Sequence, residues 1–231
     1  MLRDAIPHYL AEAVRIRTVS HQDPAQNDWS EWEQANADRL ARESEAAFRW
    51  NPHWQKFRAE ATDPANYLSG TACDSWNRYE EDFDILKQLH LRAYRFSLEW
   101  SRIEPEEGRF DEAALARYRE MIASLKRRGI EPFVTLWHWT LPLWLSEKGG
   151  TTAKDFPKYF ERYAAKAADA LGADVRFFIT LNEPDVVTSH AYLKGAWPPQ
   201  ERCPRLFLLS LFRLAAAHHL AYAAIKNRFP A

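Results

Sequence analysis

From residue 92 onward, short apolar segments with strand character alternate with longer segments of helical periodicity. Strands are expected at residues 92–98, 130–137 and 174–181. After Asp111, whose side chain can cap a helix, apolar residues recur at spacings of three and four, namely Leu115, Tyr118, Ile122 and Leu125. Strands separated by helices of this length favour an α/β fold, in which helices cover a parallel sheet.

Two further helices are expected in the same half of the chain. One begins near Asp155, and the other, at about residues 205–227, is apolar over most of its circumference, so we expect neighbours to pack around it. Residues 1–90 are less regular, with a first strand expected at 14–20. About four strand–helix units result, at residues 14–90, 92–128, 130–171 and 174–228. We see no linker between them and predict that residues 1–231 form a single domain.

The balance of charge excludes several classes of partner. The 31 basic and 32 acidic residues leave no excess that would favour nucleic acid or an anionic membrane surface. The longest apolar run, residues 206–211, is too short to span a bilayer, so no membrane association is expected. Cys73 and Cys203 are far apart in sequence and lack metal-ligand spacing. We therefore expect reduced thiols, no bound metal and a cytoplasmic location.

The third expected strand ends in Asn182-Glu183-Pro184, which places a carboxylate between an amide and a proline. Proline restricts the preceding residue to extended backbone, so we expect Glu183 at the end of the strand and outside the next helix. In parallel βα folds the carboxyl ends of the strands carry the chemistry. A lone Glu-Pro is more typical of a surface turn at the end of a strand, so the functional interpretation needs support from the rest of the chain.

Three stretches supply that support: Tyr94-Arg-Phe-Ser-Leu-Glu-Trp-Ser-Arg-Ile103, Val134-Thr-Leu-Trp-His-Trp-Thr-Leu-Pro142 and Ile179-Thr-Leu-Asn-Glu-Pro184. In this order and spacing they resemble the amino-terminal half of glycoside hydrolase family 1, the β-glucosidase and β-galactosidase family. The resemblance covers about residues 18–228. It implies a (β/α)8 TIM-barrel type of fold of which about the first four βα units are present, a half barrel. It also implies hydrolysis of small β-linked glucosides or galactosides by a retaining mechanism without a cofactor.

The resemblance assigns chemical roles to three residues. Glu183 matches the family's general acid/base, which protonates the leaving oxygen and then deprotonates the attacking water. Asn182 matches the amide that binds the 2-hydroxyl of the sugar. Arg95 matches the arginine beside the nucleophilic carboxylate, although a structural salt bridge would also explain an arginine in this strand.

Three more residues match positions that surround the sugar. Gln22 and His138 match groups that hold hydroxyls farther round the ring, and both side chains can donate and accept hydrogen bonds. Trp139 belongs to the same wall, since flat rings meet the apolar faces of pyranoses. Trp139 fits the core of the protein equally well, and Gln22 follows a weak strand, so both assignments stay open at this stage.

The chain also departs from the family pattern. The family's nucleophile is a glutamate on the seventh strand, in a Thr-Glu-Asn-Gly-like string, and these 231 residues contain no such segment. Residues 1–17 do not match, and Thr151 stands where a tryptophan is common. We therefore expect little activity from the isolated chain. Three explanations stay open: a longer gene product, a second chain that supplies the other half barrel, or a homodimer.

Other functions also fit these residues. The chain could be a carbohydrate-binding remnant that performs no chemistry, a subunit without affinity for sugars, or a different barrel hydrolase with an Asn-Glu-Pro strand end.

Overall fold

The computed structural model of the protein describes residues 73–229. The chain forms two compact units, Met1–His90 and Leu91–Ala231. In the described part of the first unit, helix α1 (Ser75–Gln88) buries the side chains of Tyr79 and Phe83. The strand expected at 14–20 and the candidate Gln22 lie outside the described residues, and the single-domain assignment stays a prediction.

The second unit is built on three parallel strands: β1 (Ala93–Ser97), β2 (Glu131–Trp137) and β3 (Phe177–Leu181). Their order in the sheet is the order in sequence, and both pairings are parallel. The predicted parallel sheet is thereby confirmed for the described residues. Ser97 pairs with Thr135, and Trp137 with Leu181, so the three strands end at one edge of the sheet.

Helices connect and cover these strands. They are α2 (Trp100–Ile103), α3 (Glu112–Arg127), α4 (Leu143–Glu147), a 3₁₀ turn (Gly150–Thr152), α5 (Phe156–Leu171), α6 (Pro184–Thr188), a π-helical turn (Ser189–Leu193) and α7 (Pro204–Arg228). Asp111 caps α3 as predicted, because its Oδ1 accepts from the backbone N–H groups of Ala113 at 2.8 Å and Ala114 at 3.0 Å.

An aromatic cluster around Trp100 joins the end of β1 to α5. The Trp100 ring is fully buried and stacks on Tyr163 at a centroid distance of 4.7 Å. Its Nε1 donates to Oε2 of Glu104 at 2.8 Å, and the other oxygen of that buried carboxylate accepts from the Gly108 N–H and from Arg162. A buried charge is tolerated only with such compensation. The cluster therefore fixes the loop that follows the first strand.

Helix α7 packs mainly on α5 and also contacts the 3₁₀ turn, the π-helical turn, α6 and β3. The buried residues are small or apolar, Ser210, Leu214, Ala217, Ala221 and Ala224. Three large apolar side chains on the helix are exposed: Leu208 (52%), Phe212 (73%) and Tyr222 (52%). The prediction that neighbours pack around most of this helix was wrong, because among the described residues no element covers these side chains.

The same helix bears on the expectation of no membrane association. By length and composition alone α7, with a mean hydropathy of 1.4 over its most apolar window, could cross a bilayer. The apolar run at residues 206–211 alone does not show this length, because the helix extends well beyond it on the carboxyl-terminal side. Its alanine-lined side, packed on a neighbouring helix, is equally typical of a helix in a globular core.

Candidate active site

Residues that lie on or just after the three strands form one hydrogen-bond network. Arg95 on β1 reaches across the sheet: its Nε donates to Thr135 Oγ1 on β2 at 2.8 Å, and its Nη2 donates to Oδ1 of Asn182 at 2.5 Å. Asn182 follows β3 directly, and its backbone N–H is held by the carbonyl of Trp137 at 3.0 Å. One guanidinium on β1 thus ties together β1, β2 and the residue that follows β3, which is what a planar fork of donors does well.

This contact fixes the orientation of the Asn182 amide. A guanidinium can only donate, so the atom that faces Arg95 is the carbonyl oxygen, and the NH₂ group points the other way. That NH₂ group lies 3.2 Å from Nε2 of His138 and 3.2 Å from Oε2 of Glu183. It has one hydrogen for each, so both bonds form together.

The amide in turn fixes the tautomer of His138. Since Nε2 accepts from Asn182, the proton of the neutral ring is on Nδ1, which lies 3.2 Å from Ser97 Oγ. The hydroxyl of Ser97 accepts this bond. Hydrogen bonds are therefore donated in one direction, from Arg95 to Asn182, from Asn182 to His138 and from His138 to Ser97. The Arg95 guanidinium sets this direction because it has no acceptor atom.

Glu183 departs from the extended conformation expected of a residue before proline. Its φ is 41° and its ψ is 61°, in the left-handed region. The physical reason is the turn: the strand becomes helix α6 across this residue, and its carbonyl must point along the helix to accept from the N–H groups of Val186 (3.1 Å) and Val187 (3.2 Å). The expectation that Glu183 lies outside the helix is correct, and its side chain is exposed at the strand ends.

Trp139 lies against the same strand end. Its φ is 82°, and its Nε1 donates to the backbone carbonyl of Asn182 at 3.0 Å. The Trp139 ring is half-buried and meets that of His138 at a centroid distance of 4.9 Å. This position is beside the network, and the assignment of Trp139 to the wall of a sugar site stays a prediction.

The structure therefore brings together five of the six residues singled out from the sequence: Arg95, His138, Trp139, Asn182 and Glu183. Gln22 lies outside the described residues. Ser97 and Thr135 also belong to the network and were not predicted, although the sequence contains a signal for Ser97. Ser97 lies two positions after Arg95 on the same strand, and alternate residues of a strand share one face.

The carboxylate of Glu99, two residues after β1, has a structural role. Glu99 caps α2, accepting from the backbone N–H of Ser101 at 3.1 Å, and its other oxygen accepts from Thr140 Oγ1 at 2.8 Å. Its own N–H donates to the buried hydroxyl of Tyr118, whose pKa is raised to about 12 by burial. Among the described residues, the network around Asn182 accordingly contains one carboxylate, Glu183.

This arrangement suits the binding of a polyhydroxylated ligand next to a proton donor. It presents an amide, an imidazole and a guanidinium, each in a fixed orientation, around an exposed carboxyl group. The described residues contain no group of three or more His, Cys, Asp or Glu side chains placed to hold a metal ion. A carboxyl group beside hydrogen-bonding groups of fixed orientation suits acid/base chemistry.

Comparison with known proteins agrees with this geometry. Residues 47–230 match the profile of a family described as Glycosyl hydrolase family 1. Beta-glucosidase A of Thermotoga maritima is 38% identical over 169 residues, which cover 71% of this chain and 38% of that protein. A beta-glucosidase of Agrobacterium sp. is 36% identical over 160 residues, covering 69% and 35%.

Solved structures give the same result. The beta-glucosidase from Thermotoga maritima in complex with deoxynojirimycin superposes with a TM-score of 0.66 at 37% identity, over 67% of this chain and 36% of that one. The same enzyme with glucoimidazole gives the same values. The chain thus spans little more than a third of the length of the relatives it matches.

Proposed function

We propose, from the premise that the chain belongs to glycosyl hydrolase family 1, that it carries the acid/base part of a retaining β-glycosidase acting on small β-glucosides or β-galactosides. The observation that supports this most strongly is the hydrogen-bonded group of Arg95, His138, Asn182 and Glu183 where the three strands end. The relatives named as beta-glucosidases support the hydrolysis of β-glucosides in particular.

In this mechanism Glu183 donates a proton to the glycosidic oxygen as the bond to the sugar breaks. The same group, now a carboxylate, later takes a proton from the water that releases the sugar. The amide of Asn182 gives up its bonds to His138 and Glu183 to bind the 2-hydroxyl, a contact that strengthens in the transition state. Gln22, His138 and Trp139 hold the rest of the sugar.

A retaining enzyme also needs a nucleophilic carboxylate about 5–5.5 Å from the acid. Under this proposal it comes from sequence beyond these 231 residues, and Arg95 lies beside it and keeps it ionised. The 231 residues then make about the first four of eight βα units, and the rest of the barrel covers β3 and the exposed side chains of α7. That remainder belongs to a longer gene product or a second chain, whereas a second copy of this chain would cover the open sheet edges without supplying the nucleophile.

Two measurements test this function. The purified chain alone should hydrolyse an aryl β-glucoside at a far lower rate than the family's enzymes do, measured by release of the aryl group. Calorimetric titration with gluconolactone or glucose should nevertheless detect binding to the chain. Fast turnover by the chain alone would show that the nucleophile is present in it, and a folded chain with no affinity for either ligand would remove the basis for the assignment.

A carbohydrate-binding remnant is the alternative, and the single carboxylate in the described network favours it over other functions. Substitution Glu183→Gln separates the two. It should abolish hydrolysis in any assembly that contains the missing half, whereas a protein that only binds sugars should keep its affinity. Both cysteines, Cys73 and Cys203, are unpaired, which supports a cytoplasmic location as part of the proposal.

A further inference from the structure

The imidazole of His138 bridges two parts of the sheet. Its Nδ1 lies 3.2 Å from Oγ of Ser97 at the end of β1, and its Nε2 lies 3.2 Å from the amide nitrogen of Asn182 after β3. The two partners are 41 and 44 positions away in sequence. Each ring nitrogen thus has a partner, and the partners belong to different strands.

These two hydrogen bonds orient the ring more than packing does. His138 is exposed among the described residues, and the ring of Trp139 meets it in a T-shaped contact at a centroid distance of 4.9 Å. The torsion that turns an imidazole about its bond to Cβ has broad energy minima. A ring held at both nitrogens therefore keeps one orientation, and loss of either bond widens the range of orientations.

Ser97 is held in place by the sheet. It is the last residue of β1 and pairs with Thr135 on β2, and the N–H of Leu98 after it donates to the Thr135 carbonyl at 2.8 Å. Its side chain lies on the same face of β1 as that of Arg95, because alternate residues of a strand share one face. The hydroxyl therefore reaches His138 from a fixed backbone.

The two hydrogen bonds of the ring change differently when a sugar binds. In the proposed mechanism the Asn182 amide leaves His138 to bind the 2-hydroxyl, so Nε2 loses its partner just when it must meet the sugar. Of the two partners that the described residues give the ring, Ser97 is the one that remains. A hydroxyl suits this position, because it can accept from Nδ1 or donate to it, whichever way Nε2 bonds to the sugar.

We propose that Ser97 is a positioning residue for sugar binding. It holds the His138 ring in the orientation that presents Nε2 to a sugar hydroxyl once the Asn182 amide has left the ring. Ser97 acts through His138 and does not touch the sugar itself. This inference rests on the proposed glycosidase function and adds to it a residue that supports the sugar site from behind.

A double-mutant cycle on the full chain tests this role. Calorimetric titration with gluconolactone measures the affinity of Ser97→Ala, His138→Ala and the double variant. Ser97→Ala alone should weaken binding roughly two- to fivefold, the contribution of one exposed hydrogen bond. In the His138→Ala background the same replacement should leave the affinity unchanged, because no ring is left to orient. Ser97→Thr, which keeps a hydroxyl, should recover most of the loss.

A second measurement needs no sugar. NMR relaxation of the ring carbons in the ¹³C-histidine-labelled chain reports how well the His138 ring is ordered. The ring should be less ordered in Ser97→Ala than in the unmodified chain or in Ser97→Thr. Ser146→Ala is the matched control, since it removes an exposed serine hydroxyl from α4, and it should change neither the ring order nor the affinity.

Several results would overturn the proposal. One is an affinity or a ring order that Ser97→Ala leaves unchanged. Another is an equal loss of affinity with and without His138, which marks a role in the fold or a direct contact with the sugar. The ring order also decides the case in which His138→Ala binds too weakly to complete the cycle. A folded, unmodified chain that binds no gluconolactone contradicts the proposed function and this inference together, whereas the other results contradict the inference alone.

Discussion

Replacing Arg95 by methionine should change the tautomer of a histidine that it does not touch. Arg95 holds Asn182 Oδ1 at 2.5 Å, and the opposite face of that amide donates to His138. A flipped amide would point its NH₂ group at the guanidinium and lose one charge-assisted hydrogen bond. Such a bond contributes about 1.5–3 kcal/mol, which favours the observed orientation roughly 10- to 100-fold.

In Arg95→Met the Asn182 amide keeps part of its preference for the observed orientation. Glu183 Oε2 also accepts from the same NH₂ group at 3.2 Å, and an exposed contact of this kind contributes about 0.5–1 kcal/mol, a roughly two- to fivefold bias. Ser97 is compatible with both tautomers of His138, because its hydroxyl can donate to Nδ1 or accept from it. In Arg95→Met we therefore expect the Nε2-protonated form of His138 to rise from a few per cent to roughly a quarter. The double variant with Glu183→Gln should approach equal populations.

Long-range proton–nitrogen correlation spectra of the ¹⁵N-histidine-labelled chain measure the two populations. The spectra are recorded about two pH units above the ordinary imidazole pKa, so that neutral rings dominate. Arg92→Met is the control, because it removes an exposed arginine that precedes β1. Two results would refute this series of hydrogen bonds. One is a His138 ring protonated mainly on Nε2 in the unmodified chain, and the other is a ratio of the two tautomers that Arg95→Met leaves unchanged.

Two further predictions concern stability. Glu104→Gln should lower the free energy of unfolding in urea by about 3 kcal/mol, because the amide can no longer accept from all three donors; Glu106→Gln, whose partner Arg109 is exposed, should change it by less than about 0.5 kcal/mol. Burial raises the pKa of Tyr118 to about 12 from an ordinary value of 10.0, so between these two pH values only the unfolded chain ionises the residue. The contribution of this residue to the free energy of unfolding, about 3 kcal/mol, is therefore intact below pH 10 and should disappear by pH 12. In Tyr118→Phe the pH dependence of unfolding should shrink by that amount, and in the exposed control Tyr222→Phe it should persist; equal pH profiles in both variants would contradict this cause.

The sequence predicts the elements after residue 92 because their signals are local. Hydrophobic periodicity and the Asp111 cap place β2 and α3 within a residue or two of the observed bounds. The proximity of His138, Asn182 and Arg95 follows from topology, since parallel strands end at one edge of the sheet. These predictions need no knowledge of how individual side chains pack.

The parts that the sequence could not predict depend on contacts between distant residues. The left-handed backbone of Glu183 results from the need to start α6 at once, which overrides the usual preference before proline. The exposed face of α7 is a property of what lies beside the helix, and composition alone suggested burial. The ring of Trp139 contacts those of His138 and Trp197, which are 59 positions apart in sequence, and only the fold brings both to the same tryptophan.

The central claim is that a sugar binds where the three strands end, against Arg95, His138 and Asn182. Mapping of side-chain NMR shifts during titration with gluconolactone tests it most directly. The account predicts saturable shifts at the Asn182 amide, the His138 ring and the Arg95 Nε–H, which weaken together in Asn182→Ala. A sugar that saturates the chain while these three groups keep their resonances unchanged would contradict it.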